Sequence, residues 1–262
     1  MEEKFHFKKK FGQNFLQDNN ILNNIVALAN ITSNDLVIEI GPGGGALTSK
    51  LIEKTKKLIC FEIDTDLEQH LKQYEDMGAN IIYGDFLKQD VNEVIKGYEY
   101  DNLYIIANLP YYITTPIITK IIESKLPVNK CVFMVQKEVA NRLSATTSTK
   151  DYNSLTIFIN YYFSCKKAFD VSKNVFYPKP NVDSAIIELD RRENPIVKVD
   201  DENKFFKLVK DSFIFKRKTL RNNLKGYNLE KIGEILKKYD FDLSVRAEAL
   251  SIDIFADISN NI

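Results

Sequence analysis

An apolar run, a cluster of glycines and a helical pattern follow one another near the amino terminus, and this succession restricts the fold more than any other feature. Residues 35–40 predict a buried strand, and the sequence Gly41-Pro42-Gly43-Gly44-Gly45 follows directly as a tight loop. Helical spacing resumes at residues 46–51. A strand, a glycine loop and a helix in this order are typical of a nucleotide site in a parallel α/β sheet, with Gly41 and Gly43 as candidate contacts.

Strand and helix patterns continue to alternate through the first two thirds of the chain. Further strands are predicted at residues 57–62, 80–83, 104–107, 131–135, 155–163 and 184–189, and helices at residues 114–123 and 136–143. A polar loop covers residues 144–153. After residue 192 the strand patterns stop and only helical spacing remains. We therefore expect an α/β domain at residues 1–192 and a small all-helical domain at residues 193–262.

Acidic residues follow the next two predicted strands at positions suited to a nucleoside. Glu62 lies 21 residues after Gly41, the spacing at which a carboxylate accepts hydrogen bonds from both ribose hydroxyls. Asp85 and the adjacent Phe86 could contact an adenine amino group, although a turn acid is the plainer explanation for Asp85. Glu39, two residues before the first glycine, favours S-adenosylmethionine over NAD. An NAD enzyme also needs a nicotinamide partner residue, which we do not find.

An amide, a proline and an aromatic ring follow the fourth strand, in the sequence Asn108-Leu109-Pro110-Tyr111. The lone pair of an exocyclic amino group on adenine or cytosine is delocalised, so it must be drawn out of conjugation before it attacks a methyl group. The Asn108 side-chain oxygen and the Leu109 or Pro110 carbonyl can accept both amino hydrogens, while Tyr111 stacks on the base. No general base is then required. A simple strand-ending turn is the structural alternative.

Phe176 is a candidate for a second aromatic face opposite Tyr111. Pro178 and Pro180 stiffen its loop, which would suit a base held outside a helix. A phenylalanine is more often part of a core. We include Phe176 with Asn108, Leu109, Pro110 and Tyr111 as the predicted catalytic set.

The formal net charge is zero, but the charges are unevenly distributed along the chain. Residues 61–101 carry 11 acids and 3 lysines, whereas residues 210–238 carry 9 bases and 3 acids. Helical spacing across residues 215–224 directs apolar positions to a core and leaves cations available to phosphates. The candidate RNA-binding residues are Lys216, Arg217, Lys218 and Arg221, together with Lys8, Lys9 and Lys10 in the amino-terminal arm. A solvated surface is the plainer explanation for both groups.

Several classes of protein do not fit the sequence. No stretch reaches transmembrane length, and the amino terminus lacks an apolar signal core, so we expect a cytoplasmic protein without membrane contact. The three cysteines form neither a disulfide framework nor a zinc spacing, so we expect no metal.

Several motifs of the chain resemble those of the ribosomal RNA adenine N6-dimethyltransferases. The resemblance rests on residues 11–16, 39–48, 84–85, 108–111, 136–140 and 176–184. Within that superfamily, residues 217–224 and 246–251 are similar to the small-subunit enzymes, which dimethylate two adjacent adenosines near the 3′ end of that RNA. Asn153 stands where the family pattern would place glycine.

The resemblance implies a Rossmann-like class I methyltransferase domain followed by the helical domain. It implies S-adenosylmethionine as cofactor, small-subunit ribosomal RNA in a pre-ribosomal particle as partner, and a role in ribosome biogenesis. We expect the chain to act as a monomer. The cofactor residues that it implies are Asn14, Leu16, Gly41, Glu62, Asp85 and Asn108, with Asn108 also contacting the target amino group.

Two other functions stay open on this sequence. The macrolide-resistance methylases of large-subunit RNA share the amino-terminal half. A ribosome-assembly or transcription factor could retain the fold without catalysis, although a binding protein has no need for the amino-group acceptors of residues 108–111.

Overall fold

The computed structural model describes residues 15–16 and 18–262. The predicted site residues Lys8, Lys9, Lys10 and Asn14 lie outside these described residues. The chain divides into two compact units. One contains the chain up to Ala140 together with Lys166–Arg191, and the other contains Asn141–Cys165 and Arg192–Ile262.

A mixed sheet forms the centre of the first unit. The strands of the described chain are β1 (Phe15–Leu16), β2 (Leu36–Ile40), β3 (Leu58–Glu62), β4 (Asn80–Tyr83), β5 (Leu103–Asn108), β6 (Lys130–Gln136), β7 (Phe163–Val171), β8 (Phe176–Tyr177) and β9 (Ser184–Arg191). Seven of them form one sheet in the order β4-β3-β2-β5-β6-β9-β7, and β1 pairs with β8. The strands from β4 to β6 are parallel, whereas β9 runs antiparallel to β6.

Helices connect the strands and form the second unit. The helices of the described chain are α1 (Asn19–Ala29), α2 (Ala46–Leu51), α3 (Glu68–Asp76), α4 (Val91–Ile95), α5 (Thr114–Glu123), α6 (Lys137–Leu143), α7 (Ser154–Tyr162), α8 (Glu202–Ser212), α9 (Leu220–Asn223), α10 (Leu229–Lys237) and α11 (Ile252–Asn261). Short 3-10 turns occupy Thr65–Leu67, Phe86–Lys88, Tyr111–Ile113, Lys173–Val175 and Ala247–Ala249. No helix of the described residues combines the length and apolar character needed to cross a bilayer.

The strand order reverses beside β2, which has β3 on one side and β5 on the other. All five residues of β2 are buried, as expected for a parallel strand covered on both faces. Such a reversal opens a crevice at the carboxyl ends of the two strands, where ligands bind in doubly wound sheets. The fold therefore brings the loop after β2 and the segment after β5 to one place.

Residues 155–162 lie in helix α7, so the strand predicted over residues 155–163 is wrong for all but Phe163, where β7 begins. The Asn153 side chain accepts hydrogen bonds from Leu155 N (2.8 Å) and Thr156 N (3.4 Å), and Thr156 Oγ1 accepts one from Asn153 N (3.1 Å). This capping box fixes the helix start. The run is apolar almost throughout, so its periodicity does not separate a buried strand from a helix. Asn153 has extended backbone angles, for which an N-cap asparagine is well suited.

Helix α7 contributes to the core of the second unit. Tyr161 is 2% exposed, its ring lies 5.5 Å from that of Phe205, and its hydroxyl donates to Glu202 Oε1 (3.1 Å). Residues 141–165 therefore belong with the carboxyl-terminal helices. The second compact unit therefore includes a segment that lies before the predicted domain boundary at residue 192. The sequence alone places this segment in the α/β domain, because it predicts a strand where α7 forms.

Candidate active site

A cavity of about 880 Å³, counting its open mouth, lies at the carboxyl ends of β2, β3 and β5. The lining includes eight of the predicted site residues, namely Leu16, Gly41, Gly43, Glu62, Asn108, Leu109, Pro110 and Tyr111. The glycine loop and the segment of residues 108–111, which we call the amide segment, thus line one cavity within the first unit.

Three of the predicted catalytic and cofactor residues in the described chain are not in the lining of this cavity. Asp85 Oδ1 accepts from Leu87 N (3.0 Å) and caps the following 3-10 turn. Phe86 is buried with its ring 5.3 Å from that of Phe61 in an edge-to-face arrangement. Phe176 is 5% exposed and is paired with Leu16 in the β1–β8 ladder. Their contacts with a cofactor or a base stay predictions.

The glycine loop is held in a conformation that few other residues adopt. Gly41 and Gly43 have φ angles of 72° and 56°, in the left-handed region that favours glycine. Gly41 N donates to Phe61 O (2.9 Å), and Gly43 N donates to Glu62 Oε2 (3.0 Å). The end of β3 therefore fixes the loop on both sides of Pro42.

Glu62 is a buried carboxylate with acceptor capacity left over. One oxygen of its carboxylate accepts a hydrogen bond from Gly43 N, and the other accepts one from Asp64 N (2.8 Å). A carboxylate offers about four acceptor positions, more than these bonds occupy. Burial raises the pKa of Glu62, and hydrogen bonds from the backbone of Asp64, Gly43 and Ile63 oppose that rise. These properties fit a residue that holds a ribose diol.

Glu39 is a second buried acid in the cavity lining, next to the loop. It is 1% exposed and accepts a hydrogen bond from Thr48 Oγ1 (2.7 Å). Burial raises the pKa of Glu39 to about 7. A cation bound nearby would favour the ionised carboxylate, so this site is better suited to a positively charged ligand than to an anion.

The backbone of the amide segment is fixed by hydrogen bonds. Asn108 is the last residue of β5, and Leu109 N donates to Met134 O on the neighbouring strand (3.1 Å). Ile113 N donates to Pro110 O (3.2 Å) within the turn that follows. The backbone of this segment is therefore held by the sheet at Leu109 and by the following turn at Pro110.

The ring of Tyr111 is anchored by a residue that the sequence did not identify. Its hydroxyl lies 2.8 Å from Ser184 Oγ, and Ser184 is fully buried at the start of β9. Burial raises the pKa of the Tyr111 hydroxyl, so that it stays neutral and able to donate. The two residues are 73 positions apart, and the sequence predicted Ser184 only as the first residue of a strand.

Comparisons with known proteins identify the family of the chain. Residues 4–262 match the family described as ribosomal RNA adenine dimethylase. A protein of Streptococcus thermophilus (strain CNRZ 1066), named Ribosomal RNA small subunit methyltransferase A, is 48% identical over 269 residues, covering 98% of this chain and 92% of the relative.

Two solved structures share the fold. A dimethyladenosine transferase from Plasmodium falciparum superposes with a TM-score of 0.77 and 28% identity, over 92% of this chain and 94% of that one. The 23S rRNA methyltransferase ErmE superposes with a TM-score of 0.74 and 22% identity, over 95% and 99%. These superpositions confirm the predicted Rossmann-like α/β fold.

Proposed function

The chain belongs to the ribosomal RNA adenine dimethylase family, and we propose that it dimethylates N6 of two adjacent adenosines near the 3′ end of small-subunit ribosomal RNA. The fold and the family imply S-adenosylmethionine as methyl donor. The main support is that the glycine loop, Glu62 at the end of β3 and the segment from Asn108 to Tyr111 all line one cavity. The name of the Streptococcus relative favours the small subunit, whereas the likeness to ErmE concerns the fold alone.

The lining residues fit S-adenosylmethionine, which supplies an electrophilic methyl group when bound. Glu62 would accept from the ribose hydroxyls with its remaining acceptor positions. Gly41 and Gly43 allow the backbone to approach the ligand closely. Glu39 would be driven towards its ionised form by a nearby positive charge. The residues of this end of the cavity thus bind and orient the donor.

The residues after β5 prepare the amino group of the adenine. Asn108 Oδ1 and a backbone carbonyl would each accept one amino hydrogen, so that the nitrogen lone pair points at the methyl group. Ile113 N already donates to Pro110 O, which favours the carbonyl of Leu109 as the second acceptor. Tyr111, anchored on Ser184, would stack on the base. The methylated amine then carries a positive charge and loses its proton to water.

The decisive experiment supplies the purified chain with labelled S-adenosylmethionine and immature small subunits, then maps the methylated positions. We expect two adjacent dimethylated adenosines in small-subunit RNA, and far less label in the same reaction time with an Asn108→Ala variant. Label in large-subunit RNA instead would favour the macrolide-resistance type. Binding without label would favour an assembly factor. We further propose that the substrate is a cytoplasmic pre-ribosomal particle and that the chain acts as a monomer.

The basic segment of the second unit should contribute phosphate contacts. Lys216, Arg217, Lys218 and Arg221 are all exposed. Replacing all four with glutamine should leave cofactor affinity unchanged and flatten the salt dependence of RNA binding. Each lost phosphate contact should remove about 0.7 to 0.9 from the slope of log affinity against log salt concentration.

The control for this variant replaces four other exposed lysines of the same unit, which are Lys225, Lys231, Lys237 and Lys238. Binding to immature small subunits is measured at several salt concentrations for both quadruple variants. An unchanged slope in a folded variant of the first set would reject the RNA-facing role. An equal loss in both variants would show only a general charge effect.

The hydrogen bond between Tyr111 and Ser184 should affect the rate of methyl transfer. A neutral hydrogen bond contributes about 0.5 to 1.5 kcal/mol, so Ser184→Ala should slow single turnover by about 2- to 12-fold. Tyr111→Phe should have a similar effect, and the double variant should be no slower than either single one because both remove the same bond. Additive losses would show that the two side chains act independently.

A further inference from the structure

The turn between α8 and α9 exposes two large apolar side chains to solvent. Ile214 is 57% exposed and Phe215 is 60% exposed. Residues 213–219 form this turn, and α9 begins only at Leu220, so the continuous helix predicted across residues 215–224 is wrong. The correction matters because a turn can project an aromatic ring that an amphipathic helix would have directed into the core.

Hydrogen bonds from a single asparagine hold this turn in shape. Asn223 Oδ1 accepts from Phe215 N (3.2 Å), and Asn223 Nδ2 donates to Ser212 O (2.6 Å). Lys218 N also donates to Phe215 O (2.8 Å). The start of the exposed segment is therefore tied to α9, and hydrogen bonds fix the backbone of Phe215.

Three exposed cations follow the ring directly in sequence. Lys216, Arg217 and Lys218 give this turn a concentrated positive charge next to an apolar ring. Proteins that bind single-stranded nucleic acid combine these two features, because cations follow the backbone while aromatic faces stack on bases. A purely phosphate-binding segment has no need for an exposed ring.

We propose that Phe215 is a stacking platform for an unpaired base of the RNA substrate, with the following cations on the adjoining phosphates. The proposal rests on the function proposed above and adds a base contact to it. Stacking on an aromatic side chain is tolerant of sequence, so Phe215 would recognise an unpaired nucleotide by its flat face. The turn would thereby distinguish an exposed single strand from a closed duplex.

A fluorescence experiment tests the contact directly, because the protein contains no tryptophan. Phe215→Trp places a single reporter in the turn, and stacking of a base should quench its emission. The matched control is Tyr239→Trp, at a position of the same unit that is 36% exposed and lies outside the turn. Protein-free small-subunit ribosomal RNA is the titrant, and immature small subunits form a second arm.

We expect RNA alone to quench the emission of the Phe215→Trp variant strongly and that of the control only slightly. In the same titrations, Phe215→Ala should bind RNA about 5- to 150-fold more weakly with an unchanged salt slope, and Phe215→Tyr should bind nearly as well as wild type. Circular dichroism checks that each variant is folded.

Two outcomes would overturn the stacking contact. One is wild-type affinity of Phe215→Ala together with an unquenched reporter, in a protein that still binds and methylates the RNA. The other is equal quenching of the Phe215→Trp reporter and the Tyr239→Trp control by both titrants, which would show that position 215 makes no base contact of its own. Failure of the wild-type chain to bind or methylate any small-subunit RNA would instead reject the proposed function itself.

Discussion

Replacing Asn108 with alanine should slow methyl transfer about 100- to 1,000-fold while changing RNA affinity only a few-fold. The expected size follows from the loss of one preorganised group that acts mainly at the transition state. Asn108 ends β5 in the cavity lining, where its side-chain oxygen would orient the lone pair of the adenine amino group. The measurement is a single-turnover rate at saturating cofactor and RNA, with some weakening of cofactor binding also expected.

Asn102→Ala provides a matched control at the opposite end of the same strand. Asn102 donates to Asp35 Oδ1 (2.9 Å) and lies next to Leu103, far along β5 from the cavity lining. It should change thermal stability more than the rate of methyl transfer. An Asn108→Ala enzyme within a few-fold of the wild-type rate would show that the amide has no catalytic role.

Glu62→Ala should weaken binding of S-adenosylhomocysteine by about 12- to 150-fold, or about 1.5 to 3 kcal/mol. Two losses contribute to this effect. The charged acceptor for the ribose hydroxyls disappears. Gly43 N and Asp64 N also lose the carboxylate oxygens to which they donate hydrogen bonds. Calorimetric titration measures the affinity.

Glu62→Gln separates these two losses. The amide keeps one acceptor oxygen and can hold either Gly43 or Asp64 but not both, so an intermediate affinity is expected. Glu68→Ala, an exposed acid at the start of α3, is the control for loss of negative charge. Wild-type affinity in a folded Glu62→Ala protein would refute the ribose assignment.

The centre of the fold was predictable because its signals are local. The apolar run before Gly41 and the helical spacing after Gly45 identified β2 and α2, and both are confirmed. Parallel strands then place their carboxyl ends at one edge, so the shared cavity of Glu62 and Asn108 followed from the alternation of strands and helices.

The parts that sequence reasoning missed depend on contacts that no local pattern reports. Helix α7 has an apolar sequence without clear period, and the capping box at Asn153 was the one local signal that could have identified it. Ser184 meets Tyr111 only through the antiparallel placement of β9 beside β6. The turn at Phe215 is set by hydrogen bonds to Asn223 rather than by hydrophobic spacing.

The helical unit is built from two separate segments of the chain, and this limits how relatives can exchange it. Because Asn141–Cys165 belongs to the same compact unit as Arg192–Ile262, the unit is not a contiguous cassette of chain. A chimaera that grafted only the carboxyl-terminal segment from a relative would set the host's Tyr161 against a foreign Phe205 and Glu202. Recombination between relatives must therefore carry both segments together, or be followed by compensating changes around Tyr161.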